Sequence, residues 1–186
     1  MSKIDNEAIN SIKVLALDMI DKAGSGHPGI VLGAASILYA LYKDHLKVIP
    51  SKPDWVNRDR FVMSSGHGSA LLYSMLYHAG FNIDMDELKQ FRKLNSLTPE
   101  YKVTPGVDST TGPLGQGIGI AVGMAMAERY LNAIANIEKK NSKLIDYYTY
   151  CLCGDGDLME GISYEALSFA STQNLNKLII LYDCNQ

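Results

Sequence analysis

The stretch 150-YCLCGDGDLMEG-161 sets one carboxylate, Asp155, between two glycines directly after a run of strand-forming residues. Flanking glycines let the backbone turn sharply and come close to a ligand, and an aspartate at such a tip offers oxygen to a cation. Further oxygen-bearing side chains, Asp183 and Asn185, stand at the end of a second apolar run, 177-KLIILYD-183. Histidines supply a different chemistry. His27 in 25-SGHPG-29 and His67 in 65-SGHG-68 each sit between small turn residues just ahead of a helix-like segment. There an imidazole can point into a crevice at a helix N-terminus. His45 and His78 lack such settings and read as structural.

The elements around these residues must bring them together. The strand-like 147-YYTYCLC-153, the helical 162-ISYEALSFASTQ-173 and the strand-like 177–183 form a β-α-β unit, which implies parallel strands and an α/β fold with helices flanking the sheet. Parallel strands end at the same edge, and neighbours lie about 4.8 Å apart. Asp155 and the pair Asp183 and Asn185 therefore leave the sheet on one side, where the right-handed crossover also brings the intervening helix N-terminus. Such a crevice suits a diphosphate held through Mg²⁺, which takes one or two protein oxygens together with phosphate oxygens. With the cation present, the carboxylate no longer repels the anion.

Upstream, apolar steps of three and four residues predict a helix over 5–23 with Asp5 as N-cap and Gly24 as stop. The turn 24–29 and a second apolar helix to about Leu46 follow. Residues 60–64 read as a short strand leading into a helix that ends at Gly80, and Asp84 caps a short helix to about Leu94. From Asn95 to Thr111 there is turn chemistry without periodicity, a length of loop that is often functional. A long helix over 115–141 carries Gly117, Gly119 and Gly123 in its first half. Glycine costs a helix up to about 1 kcal/mol against alanine, so close approach to a ligand or a neighbouring helix is expected there. Gly115-x-Gly117-x-Gly119 follows a loop and lacks the dinucleotide spacing.

The totals restrict the class. A chain of 186 residues suits one domain, and a formal net charge of −3 argues against nucleic-acid or anionic-membrane partners. The longest apolar run, 30-IVLGAASILYALY-42, is shorter than the roughly 20 residues of a membrane span. An N-terminus with early acids and no apolar signal core points to a cytoplasmic protein. Of the three cysteines, Cys151 and Cys153 lie two apart on one strand face, and all are expected to be buried thiols without a disulfide or metal role.

Gly154-Asp155-Gly156 followed at a β-α-β distance by Asn185 resembles the thiamine-diphosphate signature. The surrounding 25-SGHPG-29, 60-RFVMSSGHGSALLYSMLYHAG-80, 110-TTGPLGQGIGIAVGMAMAE-128 and 154-GDGDLMEGISYEA-166 narrow the resemblance to the transketolase family, along essentially the whole chain. It implies that Asp155 and Asn185 are Mg²⁺ ligands (Ca²⁺ being an alternative cation), that Gly156 and His67 contact the cofactor diphosphate, that Gly112, Pro113 and Leu114 pack under the thiazolium, and that His27 faces the reacting sugar. Glu160 and Glu165 match acids at a subunit interface, and a homodimer is implied. So is two-carbon ketol transfer from a ketose phosphate to an aldose phosphate in the pentose phosphate pathway. Two departures stand out. The loop 96-SLTPEYKVTPGVDSTTG-112 is short and has no histidine, and the family's third metal ligand would fall at position 187. The chain is therefore expected to be one C-terminally incomplete diphosphate-binding domain, unable to turn over and poorly soluble alone. A dihydroxyacetone synthase-like relative, or an interaction domain that keeps the fold without catalysis, are the alternatives.

Overall fold

A computed structural model describes residues 2–98, 104–137 and 144–184. Among these, β1 (Arg60–Met63), β2 (Thr149–Gly154) and β3 (Leu178–Asp183) form a parallel sheet in the order β1-β2-β3. Strand alternation sends successive side chains to opposite faces. Phe61, Met63, Leu152 and the partly buried Tyr150 and Leu181 join a core built with α1 (Lys3–Ala23), α2 (Pro28–Ala40) and α3 (Ser69–His78). Val62, Cys151, Cys153, Leu178 and Ile180 face the other way, against Ile118 and Ala121 of α5 (Gln116–Ile137) and Leu167 of α7 (Gly161–Thr172). Helices on both faces of a parallel sheet are the α/β arrangement expected from the β-α-β pattern.

Several boundaries differ from the sequence reading. Ser2, not Asp5, caps α1: its hydroxyl accepts from the Asp5 N–H at 3.2 Å while Asp5 Oδ2 accepts from the Ser2 N–H at 2.7 Å. Asp5 is thus the third-turn-position acid of a capping box, and its other oxygen binds Lys43 and Tyr39. The second helix leaves α geometry at Ala40 and finishes as a π-turn, Leu41–His45. Asp84 caps α4 as expected, accepting from Glu87 N–H at 2.8 Å, yet α4 stops at Leu88 (Met85–Leu88). An additional helix, α6 (Asp155–Met159), starts directly at the end of β2. Cys184 is exposed, whereas Cys151 and Cys153 are buried, and burial pushes the Cys153 thiol up to about 11.

Three ties fix the sheet's surroundings. Asp59 accepts from the Lys47 and Tyr148 N–H groups at 2.8 Å each. Lys177, just before β3, donates to Glu128 at 2.6 Å and to Asp146. Asp108 accepts both Arg58 Nη atoms, at 3.0 and 2.5 Å, and the Phe61 N–H at 2.9 Å, so the loop ahead of α5 is fastened beside β1. Over its described part, 104–111, these polar bonds act together with Val107, which packs against the core. No helix among the described residues is long and apolar enough to cross a membrane.

Candidate functional site

All three strands deliver their C-terminal ends to one edge. Gly154 is in register with Asp183, so β2 and β3 are immediate neighbours with no strand between them. Asp155 follows at once, exposed, and among the described residues no donor is bonded to its carboxylate. Asn185 lies outside the described residues. Asp183 is buried, and its carboxylate packs over α2, where a Cβ on Gly33 would lie 3.2 Å from Oδ2.

The segment leaving β1 runs Ser64-Ser65 into a single 3-10 turn, Gly66–Gly68, which carries His67 ahead of α3. His27 is the residue before α2, in extended conformation. These two helix starts meet: the imidazole centroids are 5.1 Å apart. Burial, and then the neighbouring His27, hold His67 below the usual histidine range, against the pull of Asp157. A neutral imidazole there can still donate one N–H to an anion.

The third component is the turn before α5. Gly112, Pro113 and Leu114 are exposed, and Leu114 Cδ1 lies 3.1 Å from where a Cβ on Gly156 would be, so this turn sits directly over the G-D-G triplet. Gly115 has φ +78, and a Cβ there would fall within 3.0 Å of Glu160, Ile162 and Ser163. Gly117 is needed for a different reason than a ligand or a helix: a Cβ would come 2.4 Å from Ser64 Cα, because α5 crosses the segment leaving β1. Gly119 faces Ile162 of α7, as a helix–helix approach predicts, and Gly123 faces open space.

One central residue escapes the motif reading. Asp157 is fully buried. Its Oδ1 accepts from Ser64 Oγ at 2.7 Å and Gly115 N–H at 2.8 Å, and its Oδ2 accepts from Ser65 Oγ at 2.6 Å and Gly154 N–H at 3.0 Å. Burial pushes this carboxyl up, but the Gly115 N–H, the two serine hydroxyls and the Gly154 N–H together hold it below the usual carboxylate range. The two aspartates of Gly-Asp-Gly-Asp thus have separate tasks. Asp157 has no lone pair to spare, and Asp155 is the one able to receive a cation. The signal for Asp157 was its position three residues after the helix-capping Gly154.

Taken together, the parallel edge carries an exposed carboxylate and two facing imidazoles on an α/β domain. Comparison with known proteins gives this class a family. Residues 4–186 match the family described as "Transketolase, thiamine diphosphate binding domain". A transketolase of Bacillus subtilis is 53% identical over 188 residues, covering 100% of this chain and 28% of the relative. The transketolase of Aquifex aeolicus is 54% identical, covering 98% and 27%. Among solved structures, transketolase from Leishmania mexicana superposes with a TM-score of 0.92 at 50% identity, over 100% of this chain and 28% of that one. Transketolase from Campylobacter jejuni does so at 0.91 and 50%, over 100% and 29%. The chain belongs to the transketolase family and corresponds to its thiamine diphosphate binding domain. It spans about 28% of the length of such relatives.

Proposed function

We propose that this chain is the diphosphate-holding part of a transketolase, a Mg²⁺-dependent thiamine diphosphate enzyme that moves a two-carbon ketol unit from a ketose phosphate to an aldose phosphate. The observation that carries the reading is the pairing of Gly154 with Asp183, which sets the ends of β2 and β3 side by side with Asp155 turned out to solvent. The donor chemistry fits: Mg²⁺ prefers hard oxygen ligands and binds through one or two protein oxygens plus phosphate, which Asp155 and Asn185 would supply. Gly156 and His67 would meet the diphosphate, and Gly112, Pro113 and Leu114 the thiazolium side.

When bound, thiamine diphosphate would supply the nucleophilic carbon and the electron sink for ketol transfer, while orientation and electrostatics would fall to the protein. Asp155 would hold the cation, whose charge would offset that of the diphosphate. His67, held neutral by burial, donates a hydrogen bond without adding charge to the pocket. His27, exposed beside it, is placed to bond a sugar hydroxyl or carbonyl. The turn 112–114 covers Gly156 and keeps water from one side of the site. Sugar phosphates as substrates and the pentose phosphate pathway belong to this proposal, as does a cytoplasmic, homodimeric complete protein. Exposed Met159, Tyr164 and Phe169 around the exposed Glu160 and Glu165 support a subunit contact on α7.

Calorimetry tests the proposal on protein expressed from its complete reading frame. Thiamine diphosphate should bind with Mg²⁺ and far more weakly with chelator. Asp155→Asn should remove the Mg²⁺ dependence and cost at least about 100-fold, since even outer-shell partners of a metal cost 10–100-fold. Undiminished binding by Asp155→Asn, or none by wild type, refutes it. The second outcome favours an interaction domain.

A further inference from the structure

Three separate stretches of chain make the edge: the segment 64–69 with His67, the turn 112–115, and 154–157 with Asp155 and Gly156. Each is a turn or a strand-to-helix junction, and such junctions hold a site less precisely than the interior of a helix or strand. One side chain bonds all three. Asp157 takes Ser64 and Ser65 from the first, the Gly115 N–H from the second and the Gly154 N–H from the third. Its own carbonyl accepts from Ser163 Oγ at 2.5 Å, which ties the knot to α7.

We propose that Asp157 is the positioning residue of the cofactor site, the group that holds the His67 segment, the 112–115 turn and the junction of β2 with α6 in one mutual arrangement. It acts through these neighbours and touches no reacting atom. The inference rests on the proposed diphosphate site for its consequence, but the geometry stands without it. Only a carboxylate meets the requirement. Each of its oxygens takes one backbone N–H that cannot rotate away, Gly115 on Oδ1 and Gly154 on Oδ2. An asparagine in either flip must aim its NH₂ at one of those N–H groups. A buried donor left facing another donor forfeits its bond and breaks the register of at least one loop.

The test compares Asp157→Asn with Glu128→Gln in the full-length protein. Glu128 is also a buried carboxylate, but it pairs with Lys177 at the opposite end of the sheet. Amide hydrogen exchange without cofactor should rise in Asp157→Asn over 64–69, 112–117 and 154–158 together, and should stay unchanged at all three in Glu128→Gln. Affinity for thiamine diphosphate with Mg²⁺ should fall about 10- to 100-fold in the first and less than about twofold in the second at a matched loss of Tm. Ser65→Ala should show the same pattern more weakly and add nothing in the Asp157→Asn background, which keeps the test open should Asp157→Asn fail to fold. Exchange confined to 154–158 overturns the proposal, as does an affinity loss equal in Glu128→Gln. Should wild type not bind thiamine diphosphate, the functional reading fails, and the exchange pattern alone decides whether Asp157 couples the loops.

Discussion

Gly117→Ala adds one methyl group where α5 crosses the segment leaving β1, and the structure sets the sign of its effect. The new Cβ would lie 2.4 Å from Ser64 Cα, 2.6 Å from its Cβ and 2.7 Å from its Oγ. Ser64 cannot yield easily, because its N–H donates to Leu152 at 2.8 Å and its hydroxyl to Asp157 at 2.7 Å. Alanine gains about 1 kcal/mol of helix propensity over glycine, while overpacking a tight site costs typically about 1–3 kcal/mol and occasionally more. Contact with backbone places this site at the upper end, so the net loss should be about 1–2 kcal/mol or greater, or several degrees in Tm at about 2–4 °C per kcal/mol. Gly123→Ala is the internal comparison. It sits in the same helix with nothing within 4 Å, so only the propensity gain remains and Tm should rise. Thermal melts of both variants give opposite signs if the reasoning holds. A Gly117→Ala protein as stable as wild type, or a Gly123→Ala protein that is equally destabilised, would refute the close-approach argument.

Other consequences are open to measurement. His67 has its proton affinity lowered from the ordinary 6.5 by burial and by His27, so the unfolded chain protonates first as pH falls. Stability should therefore be full above pH 6.5 and decline between 6.5 and the lowered native value, and His67→Gln should flatten that slope in urea melts at pH 5 to 7.5. A slope unchanged by the substitution would assign the titration elsewhere. Asp108→Ala leaves Arg58 without its buried partner. A loss of about 3–5 kcal/mol is expected, with faster amide exchange over 104–111 and little change at 178–183. Unaltered exchange in that loop would show that Asp108 does not fasten it.

Much of the fold was legible because hydrophobic periodicity carried it. The β-α-β unit, the apolar strands and the glycine stop after α1 are local signals, and each reappears within a residue or two. What failed depended on contacts between distant segments. The capping of α1 is an exception: the Ser2-x-x-Asp5 spacing is itself a local signature of the box, and the helix was started three residues late. The π-turn at Leu41–His45 continues an apolar pattern that does not distinguish α from π geometry. Cys184 was grouped with Cys151 and Cys153, though it stands just past the last strand, where alternation no longer holds it inside. Motif matching drew attention to Asp155, His27, His67 and the turn 112–114, and the structure brings the two histidines against each other and the turn over Gly156. Asp157 left only its capping position after Gly154 as a local signal; its other three partners come from two distant parts of the chain and show only in the folded arrangement. Gly117 carried a visible signal, a helix glycine without a local reason, but its cause lay in Ser64.

The central claim is that the edge shared by β2 and β3 holds one divalent ion between protein oxygens and a diphosphate. Anomalous diffraction from crystals of the full-length protein grown with thiamine diphosphate and Mn²⁺ in place of Mg²⁺ addresses it directly. A single anomalous peak within bonding distance of both Asp155 and the diphosphate, with His67 and Gly156 against the phosphates, is the predicted result. A peak away from Asp155, or a diphosphate seated at any other edge of the sheet, would contradict it.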